Sequence, residues 1–544
     1  MHAGVFPKVR HCILLLAGVL GAMPLPGRTV PDIDTTRLAA DLRILGDDAM
    51  EGRGTGTKGE RRAAAFISGR LAEFGVAPLG GEGGFIQSIP MHAGRVLPGS
   101  RLVLHSGDGD HSLAIGDSVL LYRTTALTFM PRAAELVFVG HGISAPEFAH
   151  DDYRGIDVAG KIAVMLAGEP ASTDPGFFDG DAPTIYSNPE AKQRLAMAHG
   201  ALGSILIGDD CQGEPACWER LRRDFSHEDV SLAYHVMAAF GALIHPDAAT
   251  ALFAAAPRSL DAVRRDARQG SVKPFAMGAA LTIEGRFAQR EFRGRNVVGE
   301  VRGSDPRLAD EYVLVTAHYD HLGIGFPVNG DSIYNGVFDN AVGVAAVLEM
   351  ARLTATAPPA RSVIFLFVTG EEKGLLGSRF YLDHPARPLS ATVANLNVDG
   401  LSMIDEVTDL IALGGGYSTL GDMAVEFGAS RGITVRGVAP GAEAFAAFAR
   451  SDQVAFARAG IPAILLMEGF TYRNLSPEDG MRKRLEWMAQ VYHTPQDDLH
   501  QSWSLTAMAQ HTGFLAGFLR HLAEAPDAPR WRADAPLSMQ EARR

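Results

Sequence analysis

Cysteine is scarce, with three residues in a chain of 544. Cys12 falls in an N-terminal apolar stretch, and Cys211 and Cys217 flank the segment Gln212-Gly213-Glu214-Pro215-Ala216. No CxxC pattern is present, which excludes the common zinc-ribbon and dithiol redox motifs. In an oxidising compartment Cys211 and Cys217 could close a small loop, and two free thiols fit the same spacing. Basic stripes interleaved with aromatics are also missing. With a formal net charge of −13, phosphate-backbone binding is excluded as a main role, and no nucleic-acid partner is expected. No internal repeat is evident.

Hydrophobic residues make up 47% and charged residues 21%, the balance of a soluble globular protein. The length exceeds what one core supports, so two or three domains are expected. Lys8 and Arg10 precede a 12-residue apolar run, Cys12 to Met23, followed by Pro24 and Pro26. That run has the size of a signal-peptide core and is short for a membrane span. The order basic, apolar, small predicts a signal peptide over residues 1–30, no stable membrane insertion after its removal, and a periplasmic or secreted location. The plainer reading is an uncleaved anchor or a buried N-terminal helix.

Beyond it, Asp34 to Leu45 has helical apolar spacing through Leu38, Leu42 and Leu45. A Gly-rich turn, Glu51 to Glu60, leads to a second amphipathic helix, Arg61 to Phe74, with Gly75 as its stop. From about Leu102 to Glu284 short β-type runs alternate with Gly, Asp and Pro. After Asn296 apolar strands alternate with amphipathic helices, the pattern of a sheet covered on both faces. The two early helices have no sheet of their own, so they should pack on this later unit, with the β-rich stretch inserted between. The expected division is 31–110 and 285–525 for one split domain, 111–284 for the insertion, and 526–544 for a loosely held tail.

Chemistry-bearing residues gather at the ends of the apolar runs. Tyr312 to Ala317 leads into His318-Tyr319-Asp320-His321. Ser362 to Thr369 leads into Gly370-Glu371-Glu372, and Val393 to Val398 into Asp399. Asp339 opens a helix, and His493 lies in a loop before a turn. Ligand chemistry in open α/β sheets collects outside the carboxyl ends of strands. Imidazole and carboxylate together suit zinc, with cobalt or manganese also compatible. Each residue alone has a bland explanation: a helix cap for Asp339, a solvated face for Glu371 and Glu372, an ordinary structural histidine for His318 or His493. Two adjacent carboxylates at a strand end would repel if buried and unpaired, and a ligand beside a general base resolves that cost. The coincidence of type, order and strand-end placement favours a metalloenzyme. Asp320 stands where it could hold the second nitrogen of His318, directly or through the turn.

The runs VTAHYDHLG, NGVFDNAVGVAAVLEMAR, VTGEEKGLLGSRFYL, NVDGLSM and YHTPQDD resemble, in this order, the co-catalytic zinc aminopeptidases of metallopeptidase family twenty-eight. The early helices resemble that family's N-terminal part, and the insertion, with AELVFVGHGISAP and AMAHGALGSILIG, resembles a protease-associated domain. The resemblance implies an α/β fold, a mixed β-sheet flanked by helices on both faces, carrying that inserted domain. It implies two zinc ions, one held by His318 and Asp399, the other by Glu372 and His493. Asp339 would bridge them, and Glu371 would serve as general base toward a metal-bridging hydroxide. Peptides would be the substrates, cut at the N-terminal residue.

Three departures stand out. Gln453 replaces a histidine common after Ser451-Asp452, outside the ligand set. Phe338, beside Asp339, is bulkier than usual. The oxyanion-steadying tyrosine is not assigned, with Tyr417, Tyr472 and Tyr492 as candidates. A carboxypeptidase or dipeptidase on the same fold would need basic residues for a substrate carboxylate, and Arg379, Arg450 and Arg473 are available. The same fold could also carry a glutaminyl cyclase with one zinc, or a receptor-like binding protein that has lost catalysis. The complete ligand set argues against a lost catalytic centre.

Overall fold

The computed structural model describes residues 32–123, 130–174, 176–178, 180, 184–208, 215–234, 240–437, 447–533 and 535. The expected signal peptide and Cys211 lie outside the described residues. Cys217 is buried and disulfide-bonded. Among the described residues no helix is long and apolar enough to cross a membrane.

A ten-stranded mixed sheet forms the frame. At its centre Tyr312–His318 runs parallel to Ser362–Val368 on one side and to Thr392–Asn397 on the other, which in turn pairs in parallel with Ala463–Glu468. Phe287–Val301 flanks Ser362–Val368 in the antiparallel sense. The central strands are buried on both faces, which is why they read as unbroken apolar runs. Alternate residues feed opposite cores. Val313, Val315 and Ala317 join one, and Tyr312 and Leu314 the other.

The first core is covered by helices Thr35–Leu45, Lys58–Glu73, Val342–Thr356 and Leu505–Glu524. The two N-terminal helices thus pack on the later unit, as their lack of a sheet requires. Leu38, Leu42 and Leu45 are fully buried there, each contributing about 1.5–3 kcal/mol. Asp34 caps the first helix by accepting from the Arg37 N–H at 3.0 Å. The second core takes helices Leu376–Asp383 and Gln453–Arg458.

A second, eight-stranded sheet carries its own core, built around Leu136, Phe138, Ile162, Val164 and Ile205. It begins at Arg101, ahead of the boundary expected at 110, because Arg101–Ser106 pairs with Phe275–Glu284 on the way out of the module. Helices Pro189–Ala198, Pro215–Asp224, Pro246–Leu252 and Leu260–Arg268 belong to the same segment, beside its strands. One strand of the segment, Asp229–Leu232, leaves this sheet and pairs with Ile86–Val96 at the edge of the main one. The insertion is therefore stitched to the main domain and not merely hung from it.

The described part of the C-terminal tail also departs from expectation. It is fastened, not loose: Trp531 Nε1 donates to the Gly460 carbonyl at 2.9 Å, and Arg532 pairs with Asp422 at 2.6 Å. An apolar ring and a cation at these two positions find partners on neighbouring elements.

Candidate metal centre

The parallel strands end side by side, with His318 opposite Val368 and Thr316 opposite Asn397. The loops that follow them therefore meet at one edge. The helix Val342–Thr356 is preceded by a tight turn that carries Asp339 into the same place. Gly336 makes the turn possible. Its φ is +59°, and a Cβ there would lie 2.2 Å from the Asp339 carbonyl oxygen and 2.5 Å from the His321 ring.

Asp339 sits at the middle. Its Oδ1 is 3.1 Å from His318 Nε2, and its Oδ2 is 3.1 Å from His493 Nε2. His318 Nε2 also faces Asp399 Oδ1 at 3.2 Å, and His493 Nε2 faces Glu372 Oε2 at 3.5 Å. Two donor groups result: His318, Asp339 and Asp399, and His321, Asp339, Glu372 and His493. The structure thus brings together all five residues expected as ligands.

The donor spacing fits zinc. Ligands bound at about 2.0–2.1 Å around a tetrahedral ion stand about 3.3 Å apart, and the facing pairs here are 3.1–3.5 Å apart. The protonation pattern supports the fit. His318 Nδ1 stands 3.1 Å from the Asp320 carbonyl. A carbonyl can only accept, so in this contact Nδ1 carries the hydrogen, and Nε2 is the nitrogen turned toward Asp339 and Asp399.

Asp320 therefore acts through its backbone, because the turn brings its carbonyl beneath the ring while its carboxylate Oδ1 stays 4.0 Å away. That carboxylate accepts instead from the Thr55 hydroxyl at 2.9 Å and the Glu371 N–H at 3.2 Å. It fastens the Glu371 loop to the strand end.

His321 was not expected to take part. It is fully buried, and its Nδ1 lies 2.7 Å from Glu372 Oε1. This contact engages one oxygen of Glu372 and leaves the other facing His493. The signal available in sequence was only its place three residues after His318.

Three more buried residues hold the loops. Arg53 donates to the carbonyls of Tyr319 and Leu45 at 2.8 Å, Asn335 at 2.5 Å and Gly336 at 2.8 Å. Burial pulls its pKa down to about 10, against the pull of Asp497 and Asp339. Asp497 accepts from the N–H groups of Phe338 and Asp339 at 2.9 and 3.1 Å. Asn340 bridges Val398, Gly343 and Gly400.

Carboxylates outnumber cations here. Burial lifts Glu371 well above the usual carboxylate range, with Asp452, Glu372 and Asp399 adding to the effect against His318. Asp452 is pushed up to about 7 by burial, with Asp399 and Asp320 adding to it against His318 and the Ser378 hydrogen bond. Burial opposes charge on His318, yet Asp399, Glu371 and Asp339 outweigh it and raise its pKa well above normal. Such a site is electrostatically suited to cations.

The centre opens into a cleft of about 590 Å³ lined by Glu371, Phe338, Trp487 and Tyr492, with Asn188 and Arg194 of the inserted module on its wall. Of the three candidate tyrosines, only Tyr492 lines this cleft, its ring stacked on His493 at 4.0 Å. Tyr417 and Tyr472 are buried in the cores. Arg379 and Arg450 line the cleft, whereas Arg473 pairs with Glu406 at 2.9 Å. Phe338 packs against Trp487 with centroids 4.4 Å apart, and both rings line the cleft. Gln453 is buried and bonds to Asn397 and the Phe448 carbonyl, a packing role away from the ligands.

Residues 296–518 match the model of Peptidase family M28. A "Probable zinc metalloprotease" of Pyricularia oryzae is 36% identical over 107 residues, covering 20% of this chain and 19% of that protein. A "Vacuolar membrane protease" of Schizosaccharomyces japonicus is 36% identical over 93 residues, 17% of this chain and 10% of that protein. The chain thus spans about a tenth to a fifth of the length of the curated relatives it matches. The aminopeptidase from Aneurinibacillus sp. strain AM-1 superposes with a TM-score of 0.56 at 19% identity, covering 92% of this chain and 96% of that one. BSAP, a zinc aminopeptidase from Bacillus subtilis, gives 0.50 at 19% identity, covering 94% and 99%. At this identity the two share the fold. The expected periplasmic or secreted location is corrected by these relatives, several of which are named vacuolar membrane proteases.

Proposed function

Since residues 296–518 belong to peptidase family M28, we propose that this chain is a zinc-dependent aminopeptidase that hydrolyses N-terminal residues from peptides. One observation carries the reading: the two oxygens of Asp339 each face a separate histidine-centred donor group. His318 and Asp399 would hold one ion, Glu372 and His493 the other, and Asp339 both. When bound, two zinc ions would supply Lewis acidity toward the scissile carbonyl and make water acidic enough to be deprotonated near neutral pH.

The chain's own groups do the rest. Glu371 lines the cleft beside the ligands, and its raised proton affinity suits a general base that keeps the proton long enough to pass it to the leaving amine. The Tyr492 hydroxyl, on the same wall, would donate to the oxygen that gains charge as the carbonyl is attacked. The packed rings of Phe338 and Trp487 give the cleft wall an apolar surface against which a substrate would displace water. The printed names of the two solved neighbours, an aminopeptidase and a zinc aminopeptidase, support the N-terminal direction.

The test is metal content together with release of amino acids from short peptides, on the protein and its Glu371→Gln variant. Two zincs per chain, N-terminal release, and a loss of about 10²–10⁴-fold in the variant uphold the reading. C-terminal release would instead favour a carboxypeptidase using Arg379 and Arg450. One zinc without release would point to the cyclase chemistry.

A further inference from the structure

A second cavity, of about 460 Å³, lies where the inserted module meets the metal loop. Trp218, Asp224 and His227 line it from the module, and Glu372, Lys373 and Gly374 from the main domain. Glu372 and Gly374 line the cleft as well, so the two spaces share a wall at the Glu372 group.

Asp224 closes the module helix Pro215–Asp224. The segment that follows is pinned to the main domain. The His227 ring stands edge-on to Tyr334 at 5.1 Å and lies over Gly325, where a Cβ would come within 2.3 Å of it. Glu228 accepts a fork of hydrogen bonds from Arg290 at 2.6–3.1 Å. Asp229–Leu232 then joins the edge of the main sheet. These contacts hold Asp224 at the cavity on rigid elements.

Other carboxylates of the cavity are spoken for. Glu228 is spent on Arg290, and Glu372 takes His321. Among the described residues no hydrogen bond or ion pair reaches the Asp224 carboxylate, whose Oδ1 is enclosed while Oδ2 is not. His493, Arg223 and Arg220 attract its charge and Glu372 repels it, all at longer range. Lys373 is balanced instead by Glu372, Asp320, Asp229 and Glu228. An enclosed carboxylate with no donor is costly and calls for a reason. Its match is a cationic group brought in from outside. A peptide cut at its N-terminal residue carries such a cation, the α-ammonium, on the carbon next to the scissile carbonyl.

We propose that Asp224 receives the substrate's α-ammonium through Oδ2, so that the inserted module supplies the group that demands a free N-terminus. The proposal rests on the aminopeptidase reading of the cleft. An internal or blocked residue has no ammonium and would leave Asp224 unmatched, and a site built for a charged N–H group discriminates strongly against a substrate that lacks it.

The zinc-loaded full chain is assayed on L-leucyl-p-nitroanilide and on its α-hydroxy counterpart, in which a hydroxyl replaces the ammonium. We expect kcat/KM at least about 100-fold higher for the amine. Asp224→Asn should cut that ratio at least about tenfold, mainly through KM, and Asp224→Glu should restore part of it. The ratio is taken within one preparation, so partial unfolding cannot imitate the change. A ratio near one in the unaltered protein, or a ratio that Asp224→Asn leaves untouched whether or not zinc content falls, overturns the proposal. Calorimetric binding of leucinamide against the same amide without its amine gives a readout without turnover. If no anilide or peptide is cleaved, yet leucinamide binds more tightly and Asp224→Asn removes the difference, the aminopeptidase reading falls and the ammonium site stands. Equal binding of the two amides overturns the ammonium site.

Discussion

Arg53→Met tests how the metal loops are held. Arg53 is fully buried, and its guanidinium donates to four backbone carbonyls, those of Leu45, Tyr319, Asn335 and Gly336. Methionine keeps much of the volume and supplies no donor. Each lost hydrogen bond costs about 1 kcal/mol net, and more where the abandoned carbonyl stays dry. The four together make about 4 kcal/mol the expected loss, a large share of the roughly 5–15 kcal/mol available to a domain. Three of the four carbonyls lie in the segments that carry His318, His321 and Asp339, so zinc affinity should fall with stability. Arg53→Lys retains the charge but not the planar fork and should lose an intermediate amount. Urea unfolding of the metal-free protein, followed by zinc titration, gives both quantities. A midpoint and slope for Arg53→Met that leave stability within about 1 kcal/mol of the original would refute this account of the loop.

Further consequences follow from the same geometry. His321→Gln should weaken zinc binding at the Glu372 group by about 10–100-fold, as loss of a ligand-orienting partner does; competition with a fluorescent chelator would reveal it, and unchanged affinity would show that Glu372 needs no such support. Burial lowers Lys192 to about 7, against the pull of Asp152 and Glu169. Between pH 7 and the ordinary lysine value of 10.5 the unfolded chain binds more protons, so stability contributed here rises with pH across that window. Below pH 7 the full cost of the buried charge is present. Lys192→Met should therefore flatten the rise seen by pH-dependent thermal unfolding, and a profile identical to the original would contradict this. Phe338→Ala should open the cleft mouth beside Trp487 and raise KM more than it lowers kcat; an equal effect on bulky and small substrates would argue against a shaping role. Removing the inserted module should relax selectivity for peptide length, since Asn188 and Arg194 stand on the cleft wall; unchanged length preference in a folded deletion would show that the module does not restrict access.

The residues that meet in the candidate centre were legible because most follow a buried parallel strand. Such strands read as unbroken apolar runs, their carboxyl ends are where the sheet presents its loops, and residue type announces the chemistry. The fold class was legible for the same reason, and so was the docking of the two sheetless helices. The edge of the inserted sheet was less so. Arg101–Ser106 looks like any short strand until its partner, Phe275–Glu284, is known from more than 170 residues away.

The sequence by itself determined which kinds of side chain stand at the strand ends, in what order, and on what class of fold. Those facts rest on local periodicity and on the chemistry of single residues. Tertiary structure alone decided which atoms meet. It gave His321 to Glu372, turned Asp320 so that its carbonyl rather than its carboxylate serves His318, and buried Arg53 under three separate loops. Contacts of about 3 Å between residues tens or hundreds of positions apart are set by the packing of the whole sheet and its helices, and no local pattern encodes them.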